Sequence, residues 1–505
     1  MEFILKSIML KPDAVTAPAS ASTPALRQVL TCLSLTMLLP ALGTSIANVA
    51  LPTLSHSFNA SFQQVQWVVL AYLLAVTSLI VGVGRLGDLT GRRRLLLAGI
   101  FVFTLASILC AVAPTLGWLI AARTLQGLGA AIMMALTMAL AGDVVPKEKT
   151  GSAMGLLGAM SATGTALGPA LGGMLIAGFG WRAIFLVTVP PGLAALLLAQ
   201  RVLRPDRVQA KPVRLDLMGM LMLALTLGAY VLAVSSGAAG TAGAGGRGHF
   251  SLFNLALLCA AALGLGLFVY IESRVAAPLL QLALLRDPGL SAACAMSVLV
   301  TSVVMATLVV GPFYLAQALA QSAVQVGLIM SSGPIVAAIT GVPAGRIVDR
   351  FGAQRMSIAG LIAMLLGCTM LALLSLLSLV ATRFGVAAYI TPLVVLTAGY
   401  ALFQAANNTA VMSLVGTAQR GVISGMLNLA RNLGLITGAS AMGTVFALAC
   451  ASAATTTTQP DAVALGMRVT FAVAAALIVL ALGVAALSRA LAPGCAPEAD
   501  SDRRV

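Results

Sequence analysis

Long apolar runs separated by short polar segments dominate this chain, and they admit few folds. A helix that crosses a bilayer needs about 20 predominantly apolar residues, because backbone groups in hydrocarbon must be hydrogen-bonded within the segment. Fourteen stretches come close to or exceed this length: 29–52, 65–86, 95–113, 116–140, 152–178, 183–202, 216–235, 251–271, 290–312, 324–345, 357–380, 387–413, 421–449 and 463–487, numbered here as spans 1–14. Composition agrees. Of 505 residues 60% are apolar and 9% charged, whereas soluble proteins carry about 25% charged residues. Too few charges exist to coat a soluble surface. The 50 glycines have no three-residue period, which excludes a collagen-like chain. The expected fold class is an all-α polytopic membrane protein with 14 transmembrane helices, and an even number of spans puts both termini on one side.

The basic residues choose that side. Net charge is +15, from 29 basic and 14 acidic residues. The bases sit in short segments between spans and form no nucleic-acid-binding motif, so no nucleic acid partner is expected. With a cytoplasmic amino terminus, 23 bases fall in cytoplasmic segments and four (Arg182, Arg247, Arg383, Arg468) on the opposite side, while Arg123 and Arg431 lie within spans. That asymmetry predicts cytoplasmic termini. The longest connections are a basic linker at 203–215, a glycine-rich segment at 236–250 and a threonine-rich segment at 451–461, none large enough for a soluble domain. Six of seven cysteines lie in apolar runs without a CxxC pair, His56 and His249 fall in predicted loops, and no GxxxxGK[ST] phosphate loop is present. The chain therefore reads as a non-enzyme with no metal and no cofactor.

Two connections are alike. Gly84, Arg85, Asp88, Gly91 and Arg94 match Gly345, Arg346, Asp349, Gly352 and Arg355 at a constant offset of 261 residues. Gly151, Gly155, Gly164 and Gly168 match Gly421, Gly425, Gly434 and Gly438 at an offset of 270. A duplicated membrane protein suggests two bundles facing each other, the design of secondary transporters, with substrate between them near the bilayer midplane. Spans 1–6 form one expected bundle (29–202) and spans 9–14 the other (289–488). Spans 7 and 8 are an insertion within 203–288, and 1–28 and 489–505 are tails.

Several positions stand out against this apolar background. In the segment Gly84–Arg94, read as a loop, Asp88 can face a helix amino end while Arg92 and its neighbours face the cytoplasm. The plainer reading is a basic loop that sets topology. Its repeat at Asp349 and Arg350 favours a conformational switch. Arg123, with Gln126 three residues on, sits roughly 9 Å inside span 4. It is either functional or snorkelling to the interface. Gly164, Gly168 and Gly172 recur every four residues beside Pro169 and Gly173, giving either ordinary close packing or a hinge and seal. Arg431 lies roughly 15 Å into span 13, with Asn428 and Asn432 beside it, and Gln404, Asn407 and Asn408 cluster on span 12. These polar groups either hold helices together or line a wet cavity. Asn48 and Tyr72 are further cavity candidates, with a packing role for Tyr72 as the alternative.

Together these residues resemble the major facilitator superfamily, in particular its fourteen-helix drug:proton antiporter branch, over nearly the whole chain. Gly84–Arg94 is similar to the family's loop between helices 2 and 3. Leu119–Ala131 resembles its helix-4 motif, whose arginine is implicated in proton coupling, and Gly164–Gly173 its helix-5 motif of exporters. Asn48–Pro52 resembles the end of its helix-1 motif. The resemblance implies a proton-coupled exporter of small amphipathic compounds in the cell inner membrane. Its partners are substrate, proton and lipid bilayer, with room for a periplasmic adaptor and an outer-membrane channel. One departure is chemical. The branch carries Leu-Asp ahead of the Asn-Val-Ala-Leu-Pro stretch, where this chain has Leu42-Gly43. No carboxylate then falls mid-span. Neutral or anionic substrates are expected in preference to strongly cationic ones, and coupling is expected through Arg123, a helix-end acid such as Asp88 or Asp143, or the substrate. An exporter of an endogenous anionic metabolite, such as a siderophore, is the alternative.

Overall fold

The computed structural model describes residues 23–144, 150–203, 217–239, 252–274, 286–374, 386–413, 420–453 and 458–491. Among them all regular structure is helical: α1 (Thr23–Phe58), α2 (Phe62–Thr90), α3 (Arg92–Ala111), α4 (Leu116–Val144), α5 (Thr150–Phe179), α6 (Ala183–Leu186), α7 (Val189–Val202), α8 (Leu217–Ala239), α9 (Leu252–Glu272), α10 (Pro288–Phe313), α11 (Ala323–Phe351), α12 (Ala353–Leu374), α13 (Val386–Ser413), α14 (Arg420–Thr437), α15 (Gly443–Ala453) and α16 (Gln459–Leu491). Thirteen segments among the described residues are long and apolar enough to cross a membrane, and α8 supplies a shorter apolar stretch, Met218–Val234, at the place of span 7. Most of the tails, of the linker 203–215 and of the glycine-rich segment 236–250 lie outside the described residues.

Two loop assignments are corrected, at Gly84–Arg94 and at His56, and two spans carry internal breaks. Gly84–Arg94 is not a loop: α2 runs on to Thr90, α3 starts at Arg92, and the turn is the single residue Gly91 at φ +97°. Only glycine adopts that backbone without strain. Span 6 is broken into α6 and α7, because Pro190 and Pro191 open a new helix in its first turn, where a missing N–H leaves no bond unmade. Span 13 is α14 and α15 joined by a π-helical turn at Gly438–Met442, and a second π turn, Tyr314–Ala318, follows α10. His56, placed in a loop by its sequence, is exposed in the last turn of α1.

The backbone repeats itself at the expected offsets. The left-handed residues Asn59 (φ +46°) and Gly91 (+97°) return as Ala320 (+51°) and Gly352 (+87°), each 261 positions later. The helices that follow Asn59 and Ala320 open with the same reciprocal cap, Ser61 with Gln64 and Ser322 with Gln325. Helix contacts repeat too. The pairs α1·α5, α2·α4, α3·α4 and α3·α7 have mates in α10·α14, α11·α13, α12·α13 and α12·α16. At the first crossing Ser45 Oγ donates to Gly164 O (3.2 Å), and at its mate Ser302 Oγ donates to Gly434 O (3.0 Å). Gly99 meets Gly129 between α3 and α4, as Gly360 meets Gly399 between α12 and α13. The chain is therefore two pseudo-symmetric six-helix bundles, with α8 and α9 packed on each other as the insertion. α8 also packs on α2 of one bundle and on α15 of the other, where Thr444 Oγ1 donates to Val234 O at 3.0 Å.

The bundles meet along two seams. In one, α5 crosses α11, and a Cβ built on Gly173 would lie 3.1 Å from Gly327 Cα. In the other, α2 meets α14 and α15. There Phe62 packs against Phe313 and Phe446, with ring centroids 4.7 and 5.3 Å apart. These contacts lie toward the end that carries Asn59, Gly180 and Ala320. The end where these seams lie is called here the sealed end, and the one that carries Gly91 and Gly352 the basic end.

Candidate functional site

Arg123 is fully buried in the first bundle, and the glycines after it explain how it came to be there. Gly127 lets α4 approach α2 closely (a Cβ there would lie 2.9 Å from Ala75 Cβ), and Gly129 does the same against Phe103 of α3. That contact carries Arg123 into reach of backbone carbonyls that a helix normally keeps to itself. Nε donates to Val68 O (3.0 Å), and Nη1 donates to Gly43 O (3.2 Å) and to Gln126 Oε1 (2.6 Å). Gln126, on the same helix face three residues on, passes the chain to Ser107 Oγ at 2.8 Å, and Ser107 donates to Phe103 O. The guanidinium carbon lies 4.3 Å from the centroid of Tyr72, whose hydroxyl is tied to Pro40 O at 3.0 Å. An aromatic face offers negative potential to a cation.

The charge is nevertheless incompletely matched. Nη2 is buried without a hydrogen-bond partner, and the groups around the guanidinium are carbonyls, an amide and rings. A buried charge in hydrocarbon ordinarily pairs with an opposite one. Gly43, where the resemblance places an acid, contributes only its backbone oxygen. The second bundle does not repeat the network. At the matching offsets Arg123, Gln126, Ser107 and Tyr72 correspond to Leu393, Leu396, Cys368 and Gly333, and Gly43, by the 257-residue spacing of Ser45 and Ser302, to Val300. The site is a charged departure from a duplicated scaffold. Ser107 was missed by sequence reasoning, and no motif marks it.

The structure divides the remaining candidates. Tyr72 is 1% exposed and packs on Arg123, with no open surface in this state. Asn48 is equally buried: Nδ2 donates to Thr44 O at 3.2 Å, while Oδ1 has no partner. Asn407 holds helices together, donating to Ala293 O (3.3 Å) and Ser297 Oγ (3.0 Å) of α10. Gln404 and Asn408 are half-buried and bond each other at 3.5 Å, leaving Gln404 Oε1 unpartnered. Asn428 and Arg431 are exposed and Asn432 half-buried on α14, which packs on α10 through Gly434, as does the π turn after it through Gly438.

Of the helix-5 set, Gly164, Gly168 and Gly172 face α1 inside their own bundle, against Leu42, Ser45 and Ile46. Gly173 and the carbonyl of Pro169 reach α11 across the seam. Arg92 is half-buried at the head of α3, and Asp349 and Arg350 are exposed in the last turn of α11. Asp88 lies in the last turn of α2, and its side chain is outside the described residues. The switch and cavity candidates therefore do not form one cluster.

A family model described as Major Facilitator Superfamily matches residues 33–439. Multidrug resistance protein Stp of Mycobacterium tuberculosis is 33% identical over 414 residues, covering 80% of this chain and 73% of that protein. Riboflavin transporter RibZ of Clostridioides difficile is 28% identical over 419 residues, covering 83% and 88%. The fold is also that of a bacterial homologue of the lysosomal transporter Spinster solved in an inward-facing, unoccupied conformation, with TM-score 0.67 at 15% identity over 92% of this chain and 97% of that one. The chain is a multi-pass membrane transporter for a small-molecule substrate, not an enzyme, and it belongs to the Major Facilitator Superfamily.

Proposed function

We propose that this transporter exports small amphipathic compounds across the cell (inner) membrane by alternating access, in antiport with protons. The likeness to a protein named for multidrug resistance supports export of drug-like molecules. The 23-to-4 split of basic residues supports a cytoplasmic basic end with both termini beside it. In that orientation the two seams lie at the outer end of the bundles. Residues 29–202 and 289–488 act as the two rocking bundles, and 203–288 carries the inserted pair. Asp88, Arg92, Asp349 and Arg350 latch the cytoplasmic ends when that side closes. Gly173 with Pro169 forms part of the outer seal, and Gly164, Gly168 and Gly172 keep α5 locked to α1 as the bundle moves.

The observation that carries the reading is Arg123, a wholly buried guanidinium in one bundle only, with an unpartnered Nη2. Such a charge attracts an anion and shifts the protonation of any titrating group that approaches it. Among the described residues no carboxylate lies in the middle of a spanning helix. Gln404, Asn408, Asn428, Arg431 and Asn432 are the polar groups assigned to the substrate path, together with Asn48 once the bundles shift. The charge of Arg431 favours neutral or anionic amphiphiles, and the same charge supports a second reading, export of an endogenous anionic metabolite. A periplasmic adaptor and outer-membrane channel are compatible partners for such a pump.

The test is transport in proteoliposomes under an imposed pH gradient, with fluorescein as the anionic probe, Hoechst 33342 as the weakly basic one and ethidium as the permanent cation. Gradient-dependent movement of the first two, collapsed by an uncoupler, and little movement of ethidium is expected. Transport indifferent to the gradient would end the antiport reading, and strong ethidium transport would end the charge argument.

A further inference from the structure

The two seams at the sealed end are pseudo-symmetry mates, and they are built from different side chains. The offset of 270 residues relates Gly173 of α5 to Gly443 of α15, and the offset of 261 relates Gly327 of α11 to Gln66 of α2. In the α5·α11 seam two glycines meet, and the backbones touch. In the α2·α15 seam the same geometry brings Gly443 against Gln66, whose side-chain amide occupies the place where a Cβ on Gly443 would project. Neighbouring positions follow suit: Ala323 and Ile176 of the first seam correspond to Phe62 and Phe446 of the second.

Gln66 is 1% exposed, and neither Oε1 nor Nε2 has a hydrogen-bond partner. A buried amide without a protein partner is a penalty that its glycine counterpart Gly327 does not carry, and the penalty is relieved when the group meets water or a polar solute. Closing the bundles at this end buries the amide against Gly443. Parting them frees it. No other polar side chain reaches it to offset the difference.

We propose that Gln66 is the residue that sets the balance between the two access states, by disfavouring closure at the sealed end. Its amide is also the first hydrogen-bonding group that the parting seam offers to water or to leaving substrate. The proposal rests on the alternating-access reading above, but it is tested without any substrate.

The measurement is amide hydrogen exchange, followed by mass spectrometry, of the intact protein in lipid nanodiscs, read at the peptides containing 58–66 and 439–446. Gln66→Met keeps the length of the side chain and removes the unpaired atoms, and Gln66→Gly copies the mate seam. Both are expected to slow exchange at these peptides at least fivefold. Gly443→Ala places a methyl in the space of the amide and is expected to speed exchange by a similar factor. Gln66→Asn, which retains the amide, should stay within twofold of the wild type. Unchanged or faster exchange in both Gln66→Met and Gln66→Gly would overturn the proposal. If exchange responds as expected while the wild type moves none of the probes above, the export reading falls and the role of Gln66 stands.

Discussion

At the scale of single residues, the burial of Arg123 and the absence of a side chain at position 43 are one fact seen twice. A carboxylate there would complete the guanidinium. Without it, two carbonyls, an amide and an aromatic face share the task. Hydrogen bonds to charged groups contribute about 1.5–3 kcal/mol each, and about 1.4 kcal/mol is tenfold in rate. Arg123→Gln is therefore expected to lower gradient-driven probe efflux at least about tenfold, with membrane expression retained, as read by initial rates in proteoliposomes. Gly43→Ala should be nearly silent in melting temperature, because the added methyl only touches Phe103 Cζ at 3.4 Å. Gly43→Asp presents an acid to Arg123, and measurable ethidium transport by that variant is the expected gain. Replacing exposed Arg431 by alanine should abolish fluorescein transport, and retained transport would remove it from the substrate path. The presence of Arg123 inside a span was legible in the sequence, since an arginine inside an apolar run is conspicuous. Its partners were not, because carbonyl oxygens of Gly43 and Val68 carry no residue-type signal. Arg431 stood out for the same reason and proved to be exposed, since distance along a helix does not say which way its face turns.

Among elements, the polar residues of the C-terminal half sorted by what their neighbours offered. Asn407 found a serine and a carbonyl on α10 and became a tie between helices, whereas Asn428 on α14 found none. Interhelical hydrogen bonds in membranes contribute about 0.6–2 kcal/mol. Asn407→Leu should lower thermal stability in detergent by about that amount and leave transport rates of the surviving protein unchanged. Close helix crossings impose a harsher rule. A Cβ on Gly129 would fall 2.9 Å from Phe103 Cα, at backbone that has nowhere to move, so Gly129→Val should abolish folded expression in a fluorescence size-exclusion assay. Spacing of apolar residues located the spans but not their breaks. The division of α6 from α7 turns on the two adjacent prolines, Pro190 and Pro191. The π turn at Gly438–Met442 has no composition that distinguishes it from the helix on either side.

For the molecule as a whole, the duplication was readable from five matched residues around Asp88 and Asp349, and the backbone then repeated it in turns, caps and crossings. The chemical difference between the halves was hidden in the same alignment, at positions where one half holds a polar group and the other an aliphatic or a glycine. Arg123 against Leu393 and Gln66 against Gly327 are two such places. The insertion adds a third inequality. α8 lies across the α2·α15 seam and is bonded to it through Thr444, while the α5·α11 seam has no comparable cover among the described helices. Among the described helices, greasy solutes that approach through the bilayer therefore meet α8 on one flank of the protein and bare bundle faces on the other. A compound that boards this carrier sideways from a leaflet is expected to do so along α5 and α11.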